Sequence, residues 1–212
     1  MNQKSVSRFV GLLLALGVAS TIGALAQVPQ VVHFSGVIND YVPLNPTVKG
    51  SPWEMHGEWT LDLNRFRNTA NFAADLTMSG YGKTSTGAPD PAQPGQSPHT
   101  HHIRLTNATV TWNPDDCPPS SPATYGGFEV KATVSLLTGN GSNAPFEAQP
   151  PSSVLQVCLT GGENAYSIAY SNITLVFQSG SPALAHFGGQ VIHGVVRDWK
   201  SVLGKPLTVD QP

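Results

Sequence analysis

The sequence predicts an all-β protein: a single antiparallel domain of about eight strands forming a closed or nearly closed barrel, with a β-sandwich as the alternative. Two observations carry this reading. Apolar and polar residues alternate with period two over several long runs, as strands with one buried face require. Turn formers are also abundant (21 Gly, 18 Pro) and charged residues are only 11% of the chain, a composition that suits short strands and loops, not helices.

The strands fall near 31–38, 53–63, 70–79, 100–112, 127–137, 154–160, 166–178 and 186–197. The clearest runs from Trp53 to Leu63, where Trp53, Met55, Gly57, Trp59, Leu61 and Leu63 share one face and Glu54, His56, Glu58, Thr60 and Asp62 the other. Ala70, Phe72, Ala74, Leu76 and Met78 repeat the pattern, and so do Phe128, Val130, Ala132, Val134 and Leu136. Two strands switch face partway, at Thr106-Asn107 and at Ser171-Asn172. One extra residue restores the apolar face, so a β-bulge is expected at each, and strong bending suits a closing sheet. His33-Phe34-Ser35-Gly36 and His186-Phe187-Gly188-Gly189 begin the first and last strands in this reading, which fits two strands lying side by side. Residues 80–98, rich in Pro, Gly and Ser, read as a long polar loop, and 201–212 as a tail or short terminal element.

Residues 1–26 read as a signal peptide. Lys4 and Arg8 precede an apolar run from Phe9, and Ala24-Leu25-Ala26 supplies a cleavage site. The competing interpretation, an uncleaved anchor, fits the small residues in the second half of that run less well. Cleavage leaves a single domain at 27–212, secreted or periplasmic, with no further stretch of membrane-spanning length. Its nine basic and thirteen acidic residues show no excess or stripe of positive charge, which argues against a nucleic-acid partner. Cys117 and Cys158, the only two cysteines, are expected to form a disulfide in an oxidising compartment, the alternative being two free thiols.

The densest chemical candidate is His99-Thr100-His101-His102. Residues i and i+2 of a strand share a face, so His99 and His101 are candidate ligands of one divalent metal, while His102 points outward with Arg104. A third ligand has to come from elsewhere, with His33, His186 and His193 as the candidates. The H-x-H spacing of cupins is not met, because Leu105 and Thr106 stand where that motif needs a glutamate. Glu54, His56 and Glu58 read as the wet side of a strand. Trp53, Trp59, Trp112 and Trp199 are a glycan platform if exposed and core packing if not. Asn107, Asn140 and Asn172 head glycosylation sequons. No nucleophile elbow, zincin helix, C-x-x-C, phosphate loop or dinucleotide fingerprint is present.

In plan the chain resembles small exported barrels of the lipocalin or allene-oxide-cyclase type, in architecture alone and without a motif of either. The expectation is therefore an exported, non-catalytic β-barrel that binds a small-molecule ligand or serves a structural role. The rival is a metal-dependent enzyme or metal binder built on His99 and His101.

Overall fold

A computed structural model describes residues 31–42, 52–112, 117, 127–141, 152–161 and 170–201. The strands are β1 (Val31–Val42), β2 (Trp53–Asn64), β3 (Thr69–Lys83), β4 (Pro89–Trp112), β5 (Gly127–Thr133), β6 (Leu136–Gly141), β7 (Val154–Gly161), β8 (Tyr170–Phe177) and β9 (Ile192–Ser201), with one short helix, α1 (Pro182–His186). The expected leader and its cleavage point, the tail beyond 201 and residues 166–169 of one expected strand lie outside the described residues. No described helix is long and apolar enough to cross a membrane.

All strands belong to one antiparallel sheet that closes into an uneven, barrel-like ring. The ring runs β1-β2-β3-β4-β5-β7-β8-β9 and returns to β1, with β6 attached to β4. The first and last strands do lie side by side, Phe34 opposite Trp199 and Val37 opposite Val195. Closure pairs the edges that a sandwich would keep exposed, except along β6, which among the described residues is paired on one side. In β2 and β3 the inward faces are those the alternation marks: Trp53, Met55, Trp59, Leu61 and Leu63, and Phe72, Ala74, Leu76 and Met78, are all buried. They meet Phe34, Phe128, Leu175 and Phe177 in one core. The run expected from Phe128 to Leu136 instead changes face before its end, leaving Leu136 exposed and Leu137 buried.

Both expected bulges are present. Ala70 faces Ala108 and Phe72 faces Leu105, so Thr106 and Asn107 together oppose Asn71. Asn107 takes a left-handed φ of 51°, a conformation asparagine tolerates well. Its backbone N–H donates to Asn71 Oδ1 at 2.8 Å. In β8 the pairing steps from Thr160–Asn172 to Gly161–Tyr170 and leaves Ser171 over. A third irregularity lies at the closing seam, between Ser35 and Gly36 of β1. A Cβ on Gly36 would stand 2.0 Å from the Val195 carbonyl oxygen and 2.7 Å from the Trp59 ring, so only glycine fits between the seam and the indole.

Three readings need correction. Residues 80–98 are not a free loop: β3 continues to Lys83 and β4 starts at Pro89, joined by a turn at Thr84–Ala88. The alternation of β3 gives the returning chain an edge to follow, while four prolines there lack the N–H a regular ladder needs, and the register slips three times. The strand expected at 127–137 runs on to Gly141 and is interrupted at Val134-Ser135, across from the Asn107 bulge. β5 and β6 keep one register against β4 across this break, which is why eight expected strands appear as nine. Finally, the last strand begins at Ile192, not at His186, which ends α1.

Cys117 and Cys158 are bonded, their Cα atoms 5.7 Å apart. Both are buried, and Cys158 lies on the face of β7 opposite to the inward Leu155, Val157 and Leu159. The bridge therefore fastens Cys117 to the outside of the barrel wall.

Candidate metal centre at the barrel mouth

β4 carries His99 and His101 on its inward face, completely enclosed (2% and 0% exposed). Across the ladder stand Met78 and Leu76 of β3 on one side, and Gly141 and Gly139 of β6 on the other. The two glycines bring no side chain to this row. β7 begins at Val154 and pairs with β5 and β8 but not with β6, so among the described residues β6 has no strand on its second edge. The chain leaving β8 turns into α1 and brings in His186.

Local chemistry fixes α1 at both ends. Ser181 caps its start, with Oγ accepting from Leu184 N–H at 3.1 Å and Pro182 opening the first turn. At its end Gly188 N–H donates to the Ala185 carbonyl at 3.1 Å and Gly189 N–H to the Leu184 carbonyl at 2.8 Å. This is the Schellman pattern, and Gly188 has the left-handed φ it needs, 80°, with Gly189 also positive at 74°. The buried Phe187 stacks on Phe177, ring centroids 5.2 Å apart. Replacing Gly188 with alanine should therefore cost about 1 kcal/mol through its positive φ. Urea unfolding checks it, and an unchanged midpoint would mean the cap is not holding the helix.

The three histidines point one nitrogen each at a common centre. His186 Nε2 lies 3.0 Å from His101 Nε2 and 3.4 Å from His99 Nε2, and all three ligand atoms fall within 4.8 Å of one another. A tetrahedral ion with metal–nitrogen bonds of about 2.0–2.1 Å holds its nitrogens roughly 3.3 Å apart. The far nitrogen of His99, Nδ1, sits 3.2 Å from the Ser97 carbonyl. Donation there fixes the tautomer whose Nε2 carries a lone pair toward the centre, the second contact that metal-bound histidines usually make.

Burial opposes positive charge at all three. It is the largest influence holding His99 below its ordinary value, with the Ser97 carbonyl working against it. Burial, then the neighbouring His186 and His99, pushes His101 down to about 2. Burial, then His99, lowers His186 to about 4. All three rings are therefore neutral at pH 7, the form that ligates metal.

A pH dependence follows for the metal-free protein. Above about 6.5 these groups are neutral in both the folded and the unfolded chain. Below it the unfolded chain takes up protons that the folded chain refuses, so stability falls with pH until the lowered folded-state values are reached. The expected loss is about 1.4 kcal/mol per pH unit for each such histidine. Urea midpoints measured from pH 7 to pH 5 should fall, and more shallowly in His101→Leu. Equal slopes in both proteins would contradict the assignment.

The other histidines lie outside this cluster. His102 Nδ1 is 2.8 Å from Asp75 on the outer face, where Arg104 Nη1 also reaches Asp75 at 2.9 Å. His33 pairs with Asp62 and His193 with Asp40, so of the three candidate third ligands only His186 joins the site. Glu54, His56 and Glu58 stay on the outer face of β2, where Tyr81 donates a hydrogen bond to Glu54. Trp53 and Trp59 are core, and the Trp53 ring meets His99 edge-on at 4.8 Å. Trp112 is partly exposed at the rim, its Nε1 donating to Asn68 Oδ1 at 3.0 Å beneath the Arg65 guanidinium. The side chain of Trp199 lies outside the described residues.

No protein-family model, no curated protein and no solved structure matches this chain.

Proposed function

We propose that this protein is an exported, non-catalytic β-barrel whose ligand is a first-row transition-metal ion, held at the barrel mouth by His99, His101 and His186. One observation carries the reading: three neutral imidazoles from two separate elements, His99 and His101 buried and His186 half-buried, converge through Nε2 at metal-ligand spacing. Histidine nitrogens suit zinc, copper, nickel and iron. The packing favours an ion over an organic ligand. An eight-strand barrel has an interior just wide enough for side chains or one small molecule, and Trp53, Trp59, Phe34, Phe72 and Phe128 occupy it here. The disulfide is compatible with an exported protein.

The test is metal analysis of the purified protein, loaded in turn with Zn(II), Ni(II) and copper and then desalted. About one equivalent should remain on wild type and on His102→Ala, and none on His99→Ala, His101→Ala or His186→Ala. Stoichiometric metal that survives all three substitutions would place the site elsewhere, and no retention of any of these ions would end the reading.

A further inference from the structure

Resting on the three-histidine site just proposed, we propose that its metal is monovalent copper and that Met78 supplies a fourth ligand through its thioether sulfur. The chain has three methionines, and apart from Met1 they are Met55 and Met78. The ladder sets these two directly across from one another. The next strand sets Met78 directly across from His99. All three residues are on the inward face, and both methionines are fully buried. Directly opposed residues have Cβ atoms about 4.5–5.5 Å apart, and methionine's long unbranched chain lets its sulfur reach beside the imidazole.

The hard alternatives find no partner in this row. It reads Met55, Met78, His99 across three strands, and Gly57, Leu76, His101 beside it, with no inward carboxylate or carbonyl-bearing side chain. Oxygen ligands are what magnesium, calcium and manganese require, whereas thioethers select cuprous ion. No cysteine competes, since both are joined in the disulfide. Three imidazoles and one thioether complete four-coordination without water. A site closed in this way holds its ion and offers no position for a substrate, as the non-catalytic reading requires.

The decisive experiment compares wild type, Met78→Leu and Met55→Leu, each loaded with cuprous ion under anaerobic conditions and separately with Zn(II). Affinities come from competition with a chromophoric chelator, and ligands from X-ray absorption at the copper edge. In wild type a copper–sulfur shell should accompany the nitrogen shell. Met78→Leu preserves volume and should remove that shell and weaken cuprous binding by about tenfold or more, a loss comparable to those that outer-sphere changes already cause. Its Zn(II) affinity should hold, and Met55→Leu should keep the sulfur shell. Absence of sulfur scattering in wild type overturns the thioether assignment whatever the variants do. Zn(II) bound through all three histidines in that case would leave the histidine site standing, whereas failure to bind either ion would remove both proposals.

Discussion

Metal should stabilise the folded protein by about 4 kcal/mol when the free ion is a thousandfold above its dissociation constant, and His101→Leu should erase that gain. The magnitude is mass action, because an ion that binds only the folded chain adds RT ln(1 + [L]/Kd) to its stability. Leucine is the informative replacement. His101 is fully enclosed beside Leu76, Phe187 and His186, so an alanine would add the cost of a cavity. Leucine fills that space and carries no polar nitrogen to bury, so the metal-free variant should be at least as stable as wild type at pH 5. Chemical unfolding with and without metal gives both numbers. A variant that gained as much from the ion as wild type would show that His101 is not a ligand.

The second large effect is at the disulfide. Cys117→Ala/Cys158→Ala should lower unfolding free energy by about 4 kcal/mol, the chain-entropy value for a bridge spanning a sequence separation of 41. Against a typical domain stability of about 5–15 kcal/mol, that brings the barrel near its limit. The loss should be read from urea midpoints in oxidising buffer, and titration of the unreduced, unfolded wild type should find no thiol. A double variant within about 1 kcal/mol of wild type would mean that the bridge constrains a segment already held by other contacts.

Much of this architecture is legible in the residues because period-two alternation is a local signal. Trp53 to Leu63 states its inner and outer faces without reference to any partner strand. The bulges at Asn107 and Ser171 were equally visible, since a one-residue insertion reverses parity at a definable point. The arm at residues 80–98 was hidden because proline and glycine composition reports poor ladders and loops alike. His186 stood among the three candidate third ligands, but its helical setting was hidden for a different reason. His-Phe-Gly-Gly resembles the start of β1, and its helical meaning depends on Ser181-Pro182 upstream and on two glycines at positive φ. Read together, Ser-Pro at one end and Gly-Gly at the other are the start and stop signals of a short helix. Met78 was visible as an inward residue, but its place beside His99 exists only once the register between β3 and β4 is fixed.

The division of the site between β4 and α1 also has a consequence in time. His186 is 85 residues from His101 and 87 from His99, and the chain between them forms β5 through β8. Contacts so distant in sequence form late, because the entropy of closing the intervening chain must be met first. An ion offered during refolding therefore finds only the local His99–His101 pair until the ring has assembled. If the site takes a metal as proposed, its capture marks the completion of folding rather than guiding it. Adding the ion should leave the folding rate nearly unchanged and slow unfolding instead, so its benefit is retention of the finished barrel.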